Sequence, residues 1–244
     1  MALKTEALKC EVCSVNADAL PVIIVAGGSS ERMNGIDKQL AEICGIPVIV
    51  RTMLAFENSK YISRIIVVTK TESVADIDKL ASKYMISKLT DIVSGGLTRH
   101  ESVLKGMACL SVSENKVLIH DGARPFVKEK MIFDCVNALK KANGCLCALK
   151  STDTVKLCEN EAVKSTLDRN MIYLAQTPQG VDSKLYKKFC ESGNDTEFTD
   201  EASVMESAGE KVIIVNGDKA NIKITTPFDL ILAEAIVREE EKCE

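Results

Sequence analysis

The feature that most constrains this 244-residue chain is the stretch PVIIVAGGSSERMNGIDKQL, which occupies residues 21–40. Its unbroken β-branched run is typical of a strand buried on both faces of a parallel sheet. The run leads to Gly27 and Gly28, which carry no Cβ and so let backbone N–H groups approach an anion closely. Arg32 and Lys38 then supply cations suited to phosphate oxygens. A strand, a glycine loop and two cations in this order predict a triphosphate site.

Two common phosphate loops do not fit this stretch. The Walker pattern requires Gly-Lys-Ser or Gly-Lys-Thr, and neither tripeptide occurs in the chain. The dinucleotide fingerprint requires three spaced glycines, whereas Ser30 follows the glycine pair here. From the loop alone, a Gly-Gly turn with solvated charges remains the alternative to a catalytic site.

Composition narrows the class of protein and of ligand. The net charge of −4 and the pI near 5.5 argue against a nucleic-acid-binding surface, which normally carries a basic excess. No apolar run reaches the roughly 18 residues of a membrane span, and residues 1–19 lack the apolar core of a signal peptide. We therefore expect a cytoplasmic enzyme with small-molecule ligands, no nucleic acid and no membrane contact.

The chain contains five prolines and no Pro- or Ser-rich linker, which favours a single domain. We expect residues 20–244 to form that domain and residues 1–19 to be an N-terminal extension. The extension carries Cys10 and Cys13, but the chain offers no second Cys-x-x-Cys pair and no histidine near them in sequence, so no closed zinc site is predicted.

The remaining cysteines that lie in apolar runs are expected to be reduced, buried thiols, because the chain is much larger than a disulfide-stapled scaffold. They are Cys109, Cys135, Cys145 and Cys147.

Strand and helix patterns alternate along the rest of the chain. Strands are predicted at residues 64–69, 92–94, 116–120, 145–149 and 211–215. Helices are predicted with Pro47 in a first turn, at residues 73–84, 98–110 and 128–142, between Asp182 and Gly193, from Thr199 to Gly209, and from Thr226 onward. Strand–helix–strand units form right-handed parallel crossovers, so the pattern predicts an α/β, Rossmann-like fold with a mostly parallel sheet flanked by helices.

Residues 152–167 break this alternation. Polar and apolar side chains alternate on both sides of Glu159-Asn-Glu, which predicts a β-hairpin. An isolated hairpin is barely stable in water, so we expect a protruding arm that packs on a second subunit and serves dimerisation.

A glycine pair, Gly95 and Gly96, ends one predicted strand and precedes a helix that begins at the capping-box residue Thr98. Arg99 and Ser102 would lie in its first turn, beside exposed backbone amides. This arrangement is suited to reading the polar edge of a nucleobase.

The strand at residues 116–120 is followed directly by Asp121 and Arg124. Ligands of open parallel sheets bind beyond the carboxyl ends of the strands, so Asp121 is a candidate acceptor of substrate hydroxyls and Arg124 a candidate phosphate ligand. Arg124 could instead merely pair with Asp121. His120, at the strand end, is expected to be a buried, hydrogen-bonded structural residue and not a base.

In their order, these motifs resemble those of the 2-C-methyl-D-erythritol 4-phosphate cytidylyltransferases, within the sugar-phosphate nucleotidyltransferases. The glycine loop resembles Gly-x-Gly-x-Arg-Met followed by Pro-Lys, with matches at Gly28, Arg32, Met33 and Lys38 and departures at Ser30 and Asp37. The other matching motifs, over residues 21–238, are Gly95-Gly96 with Arg99 and Ser102, His-Asp121-Gly-Ala-Arg124-Pro, Thr154, Asp168-Arg169, Thr177-Pro-Gln, Thr199-Asp-Glu-Ala and Asn-Ile-Lys223-Ile-Thr. Their joint occurrence is more specific than any glycine loop.

The resemblance implies that CTP and 2-C-methyl-D-erythritol 4-phosphate give a CDP-polyol and pyrophosphate, in non-mevalonate isoprenoid biosynthesis. It implies a homodimer, and Mg²⁺ held mainly by the CTP phosphates without dedicated protein ligands. The catalytic residues it implies are Arg32 and Lys38 at the α-phosphate and Arg169 and Lys223 at the substrate phosphate. The nucleotide site it implies comprises Gly27, Gly28, Ser29, Ser30, Gly95, Gly96, Arg99 and Ser102, and the polyol-phosphate site comprises Asp121, Arg124, Thr154, Thr177 and Thr199.

Two other functions compete with this one. A ribitol 5-phosphate cytidylyltransferase shares the loop and the chemistry and differs in the polyol, although His-Asp-Gly-Ala-Arg-Pro and Leu-Asp-Arg resemble the erythritol enzymes more closely. A non-catalytic nucleotide sensor would be expected to have lost a cation. Arg32, Lys38, Arg169 and Lys223 are all present, which favours an enzyme.

Overall fold

A computed structural model describes residues 18–28, 37–192 and 198–243, apart from the side chains of residues 241 and 243. The residues named above that lie outside these ranges are Cys10, Cys13, Ser29, Ser30, Arg32, Met33 and Gly193. Their predicted roles therefore stay predictions.

The described chain contains eleven strands, seven of which form one sheet. In chain order they are β1 Leu20–Val25, β2 Glu42–Ile43, β3 Ile46–Pro47, β4 Ile62–Thr69, β5 Leu89–Ser94, β6 Lys116–Asp121, β7 Gly144–Lys150, β8 Lys156–Glu159, β9 Ala162–Thr166, β10 Tyr173–Asp182 and β11 Val212–Asn216. The sheet order is β11-β7-β10-β6-β1-β4-β5, and the short pairs β2–β3 and β8–β9 stand apart from it.

Helices separate most of the strands. They are α1 Val48–Glu57, α2 Val74–Lys83, α3 Arg99–Ala108, α4 Glu129–Leu139, α5 Ser183–Glu191, α6 Glu201–Ser207 and α7 Pro227–Cys243, with short 3₁₀ turns at Thr71–Ser73 and Arg169–Met171. Apolar clusters fill both faces of the sheet, which explains why β1, β4 and β6 are almost continuously apolar. The predicted Rossmann-like, mostly parallel sheet flanked by helices is confirmed.

Strand β10 is the exception to the parallel arrangement. It runs antiparallel to both β6 and β7, and its register with β7 shifts between Ala175 and Gln179. The polar sequence Gln176-Thr177-Pro178-Gln179, which includes a cis Thr177–Pro178 peptide bond, occupies that irregularity. Proline and buried polar residues are atypical of a central strand, so the sequence pattern did not indicate one here.

Several helix ends differ from the sequence expectation. Pro47 ends β3 and serves as N-cap of α1, so it does not lie in the first turn. Helix α4 ends at Leu139, before the predicted end at Ala142, and Gly144 is the first residue of β7. The N-cap of α6 is Asp200, not Thr199, since the Asp200 carboxylate accepts from the Ser203 amide at 3.0 Å.

The predicted hairpin is confirmed as the pair β8–β9, whose strand residues are all exposed. Its turn residues Asn160 and Glu161 have φ values of 49° and 64°, the left-handed conformation that two-residue hairpin turns require. Large apolar side chains on and beside the arm remain exposed, among them Leu157, Val163 and Met171.

A third apolar cluster fixes the loops around the carboxyl ends of the strands. Helix α7 contributes Ala233 and Val237, which pack with Ile43, Ala123 and Ile224. These three residues come from the segments next to Lys38, Asp121 and Lys223 respectively. Helix α7 therefore packs against three loops that are far apart in sequence and fixes their relative positions.

The described cysteines carry no disulfide, as expected, and Cys135, Cys145 and Cys147 are buried, whereas Cys109 is half-buried. Among the described residues, no helix combines the length and the apolar character that crossing a membrane would require.

Candidate active site

A cavity of about 480 Å³ opens beyond the carboxyl ends of β1 and β6. Strand register places Asp121 beside Val25, directly before the glycine loop. The lining residues are Val25, Gly27, Gly28, Lys38, Gln39, Lys70, Gly96, Leu97, Thr98, Arg99, Ser102, Asp121, Ala123 and Lys223. A wider open groove of about 780 Å³ along α2 and β5 contains none of the predicted site residues.

Lys38 reaches over the glycine loop. A Cβ placed on Gly28 would lie 3.1 Å from the Lys38 Nζ, so a side chain there would crowd the ammonium group. Asp37, which replaces the proline of the family pattern, accepts from the Gln39 amide at 2.9 Å and starts the turn that carries Lys38. Asp37 thus supplies by a hydrogen bond the local turn that proline would favour through its fixed φ.

The second glycine pair is required by the close approach of helix α3. A Cβ on Gly95 would lie 2.8 Å from the Ser102 hydroxyl, and one on Gly96 would collide with the Glu101 side chain. Thr98 caps α3 as predicted, accepting from the Glu101 amide at 3.1 Å, but the Glu101 carboxylate accepts from Leu97 instead of completing the capping box. Ser102 accepts from the Gly96 amide at 3.0 Å, which fixes the loop to the helix.

A second, smaller cavity of about 250 Å³ adjoins the first. Its lining residues are Arg99, Asp121, Arg124, Ala175, Gln176, Thr177, Gln179, Thr199, Asp200 and Lys223. Arg99, Asp121 and Lys223 line both cavities and therefore form the wall between them. Two ligands, one in each cavity, would meet at this charged wall.

Asp121 is the centre of the wall. Its carboxylate lies 2.8 Å from the Lys223 Nζ, 3.2 Å from Arg99 and 3.5 Å from the Arg124 Nε. Burial opposes ionisation of Asp121, but Lys223 and Arg99 outweigh it and hold the pKa of the carboxyl well below its usual range. Asp121 is thus a buried anion held by three cations, Arg99, Arg124 and Lys223.

Arg99 is held from a second side by Glu201, a residue that sequence reasoning missed. The two Glu201 carboxylate oxygens lie 2.5 and 3.1 Å from the Arg99 guanidinium nitrogens. Burial raises the pKa of Glu201, and Arg99 opposes that rise. The sequence signalled only a helix start at this position, because nothing local links residues 99 and 201.

His120 is fully buried beneath the wall and hydrogen-bonded at both ring nitrogens, to the Arg124 carbonyl at 2.9 Å and the Thr177 hydroxyl at 3.0 Å. The Thr177 hydroxyl also accepts from the Asp121 amide at 3.1 Å. The expectation of a structural histidine is confirmed. Burial lowers the pKa of His120 to about 4.

This lowered pKa predicts acid sensitivity of the fold. The unfolded chain takes up a proton at His120 near pH 6.5 whereas the folded chain does not until about pH 4, so the free energy of unfolding falls as the pH drops through that window. The loss should approach about 3 kcal/mol at the lower end. Urea unfolding from pH 7 to pH 4.5 measures it.

The matched variant for this test is His120→Gln, which keeps hydrogen-bonding groups but does not titrate. Its free energy of unfolding should vary less with pH than that of the wild type over the same window. If the free energy of unfolding depends equally on pH in both proteins, His120 is not the group responsible for the acid sensitivity. Asp121 titrates below this window, since its pKa is depressed.

Two predicted site residues lie away from both cavities. Thr154 is exposed on the loop before β8, and Arg169 is exposed on the short 3₁₀ turn after β9. The Arg169 guanidinium donates to the Thr152 carbonyl at 3.2 Å. Neither residue lines the larger or the smaller cavity within the described part of the chain.

The other predicted site residues that the structure describes are brought together. Lys38, Lys223, Gly27, Gly28, Gly96, Arg99, Ser102 and Asp121 line the larger cavity, while Arg124, Thr177 and Thr199 line the smaller one. Gly95 lies directly behind Ser102. Gln39 and Lys70, which also line the larger cavity, were not predicted. Two sequence features could have indicated them: Gln39 directly follows Lys38, and Lys70 directly follows strand β4.

Within the described ranges, no group of three or more histidine, cysteine, aspartate or glutamate side chains could hold a metal ion. Asp121 is the carboxylate that reaches the larger cavity, and it is already paired with cations. With Asp121 as the carboxylate that lines the larger cavity, the site fits a metal ion that is bound mainly by phosphate oxygens and needs few protein ligands.

Comparisons with known proteins identify the family that this chain resembles. Residues 20–239 match the family model described as IspD: 2-C-methyl-D-erythritol 4-phosphate cytidylyltransferase. The 2-C-methyl-D-erythritol 4-phosphate cytidylyltransferase of Halalkalibacterium halodurans is 40% identical over 224 residues, 91% of this chain and 98% of that protein. Two crystal structures are also similar. The 4-diphosphocytidyl-2C-methyl-D-erythritol synthase of Anaerococcus prevotii has a TM-score of 0.80 at 33% identity, covering 90% of this chain and 98% of its own.

The second similar crystal structure is that of the 2-C-methyl-D-erythritol 4-phosphate cytidylyltransferase of Thermus thermophilus. Its TM-score is 0.74 at 27% identity, and the match covers 90% of this chain and 99% of that protein. The similarity therefore extends over nearly the whole length of these proteins, and the resemblance read from the motifs is confirmed. The chain belongs to the 2-C-methyl-D-erythritol 4-phosphate cytidylyltransferase family.

Proposed function

We propose that this chain transfers CMP from CTP to 2-C-methyl-D-erythritol 4-phosphate, giving 4-diphosphocytidyl-2-C-methyl-D-erythritol and pyrophosphate. The observation that carries the proposal is the pair of adjoining cavities that share the wall of Arg99, Asp121 and Lys223. A nucleotide in the larger cavity and a polyol phosphate in the smaller one would bring their phosphates together beside these charges. Family membership supports the identity of both reactants.

The nucleotide would lie with its phosphates at Gly27, Gly28 and Lys38 and its cytosine near Gly96 and Ser102. Lys38 is a mobile point charge, suited to an oxygen whose negative charge grows during the transfer. The loop around Gly96 presents backbone groups to the base. The cytosine amino group can donate to a backbone carbonyl that the uracil oxygen would repel, so the site should prefer CTP.

The polyol phosphate would occupy the smaller cavity, with its phosphate oriented by Lys223 and its hydroxyls near Asp121, Thr177 and Thr199. The attacking group is a phosphate oxygen, whose second pKa is near 6, so no general base is needed at neutral pH. This agrees with a site in which His120 is fully buried and engaged by protein groups. Catalysis then depends on positioning and electrostatic stabilisation.

Mg²⁺ would be held mainly by the CTP phosphates, with Asp121 as the carboxylate nearest to them. When bound, it would neutralise part of the phosphate charge. Lys38 and Lys223 supply positive charge from the protein. Arg32, outside the described ranges, is proposed to act with Lys38 at the α-phosphate.

Arg169 and Thr154 are proposed to act from the arm of a second subunit in a homodimer. Both residues are exposed and line neither cavity of their own chain, which supports this arrangement. The exposed apolar side chains Leu157 and Val163 on the arm would be covered by the partner. Two further expectations stay predictions. One is the division of the chain into an extension of residues 1–19 and one domain over residues 20–244, and the other is the cytoplasmic location.

Pyrophosphate release with CTP or UTP, combined in turn with 2-C-methyl-D-erythritol 4-phosphate or ribitol 5-phosphate, tests the proposal. We expect efficient release only with CTP and the erythritol phosphate. Preference for ribitol 5-phosphate would support the competing polyol, and equal efficiency with UTP would contradict the proposed base recognition. Binding of CTP without pyrophosphate release from any combination would favour a nucleotide sensor.

A further inference from the structure

Glu201 occupies a position that a ligand does not reach. It is the first residue of α6 and only 1% exposed, and it lines neither cavity. Both of its carboxylate oxygens are engaged by Arg99, at 2.5 and 3.1 Å. Bidentate pairing of this kind fixes the guanidinium plane as well as its distance. Whatever Glu201 does for a reaction, it does through Arg99.

Arg99 has a second partner, Asp121, on the adjacent edge of its guanidinium, and the Nη2 nitrogen donates to both carboxylates. Its guanidinium lies 3.2 Å from the Asp121 carboxylate, which also pairs with Lys223 at 2.8 Å. Arg99 therefore links Glu201 to Asp121 within the charged wall that both cavities share. Without Glu201, the guanidinium would be anchored on one side only and free to turn toward phosphate groups.

The pair also joins the two loops that line the cavities. Arg99 is the first residue of α3, next to the loop of Gly95 and Gly96, whereas Glu201 follows Thr199 and Asp200 of the smaller cavity. Asp200 is held in turn by Gln179 on strand β10 at 3.0 Å. The ion pair thus fixes the distance between the proposed nucleotide loop and the proposed polyol-phosphate loop.

We propose that Glu201 is a positioning residue for the transfer reaction, which holds Arg99 against Asp121 and thereby sets the two reactants in line. The proposal rests on the proposed function. It differs from a purely structural role, in which loss of the pair would weaken the fold but leave the folded enzyme with normal rate constants.

The test is Glu201→Gln, which keeps the size of the side chain and removes its charge. Loss of a charge-assisted hydrogen bond that orients a site residue should lower kcat/KM for the polyol phosphate by about tenfold to a hundredfold. We expect both a higher KM and a lower kcat, measured well below the unfolding temperature of the variant. A value within twofold of wild type would overturn the proposal.

The chain offers a matched control in Glu114→Gln. Glu114 also makes a bidentate pair with an arginine, Arg64, at 2.9 and 2.7 Å, and Arg64 likewise pairs with a second carboxylate, Asp91. None of these three residues lines the two site cavities. Glu114→Gln should lose stability without losing kcat/KM, and an equal loss of kcat/KM in both variants would assign the effect to the fold.

A double-mutant cycle tests whether Glu201 acts through Arg99. In an Arg99→Ala background, Glu201→Gln should change kcat/KM less than twofold, and independent effects of the two substitutions would contradict the mechanism. If Glu201→Gln does not fold, Arg99→Met/Glu201→Met replaces the whole pair by apolar side chains. That variant should fold and have a kcat/KM within twofold of that of Arg99→Met alone, whereas a further loss would overturn the proposal. Inactivity of the wild type itself would contradict the proposed function and not the role of Glu201.

Discussion

Lys38→Ala is expected to lower turnover at least about a hundredfold while the fold survives. Lys38 lies over Gly28 in the larger cavity, where the α-phosphate is proposed to react. Loss of one preorganised donor to a transition state costs about 3 kcal/mol, which corresponds to roughly this factor. Because the interaction strengthens as charge develops, kcat should fall more than KM for CTP rises. Steady-state kinetics with CTP and the erythritol phosphate measure both.

Two variants serve as controls for Lys38→Ala. Lys79→Ala removes an exposed lysine of α2 that pairs with Asp76, and it should leave the kinetics unchanged. Lys38→Arg keeps the charge with a different geometry and should have intermediate activity. Near-normal turnover of a folded Lys38→Ala protein would remove Lys38 from the mechanism. Arg32→Ala is predicted to have an effect of similar size.

Mixing Lys38→Ala chains with Arg169→Ala chains is expected to restore about a quarter of the wild-type sites, although each variant alone is inactive or nearly so. If Arg169 acts across a dimer interface, a heterodimer contains one site that lacks both cations and one that lacks neither. Random pairing makes about half of the dimers heterodimers, which gives the expected quarter. The chains are refolded together, subunit exchange is verified, and pyrophosphate release is compared with that of the separate variants.

Lys223 provides the matched control for this experiment. It lines the same cavity as Lys38 in the same chain, so mixing Lys38→Ala with Lys223→Ala leaves every site without one of its two lysines. No activity should be restored in that mixture. Restoration of activity in both mixtures would indicate an artefact of refolding. If neither mixture regains activity although subunit exchange is verified, a site shared between subunits is ruled out.

Part of this architecture was accessible from the sequence because the signals are local. The β-branched run before Gly27 predicts the central strand, Thr98 caps its helix, and the alternation over residues 152–167 predicts the hairpin. Each of these depends on the backbone preferences and hydrogen bonds of residues within a few positions of one another. Their order along the chain carried the family resemblance.

Strand β10 shows where local signals end. The sequence around Thr177-Pro178 is polar and irregular, yet it lies antiparallel in the middle of the sheet. Its polar groups are buried there because partners arrive from distant parts of the chain, as when the Asp121 amide donates to Thr177 and the Asn221 side chain donates to the Thr177 carbonyl. A buried polar segment is stable only when such partners are present.

The sequence by itself determined most of the strand and helix order, although not strand β10, together with the glycine loops, the arm and most of the residues that surround the cavities. Only the tertiary structure decided that Asp121 pairs with Arg99, Arg124 and Lys223, and that Glu201 also pairs with Arg99. The physical reason is distance along the chain. Arg99 and Glu201 are brought together by the packing of α3 and α6 around one sheet. Because the two residues are far apart in sequence, no local sequence pattern predicts their ion pair.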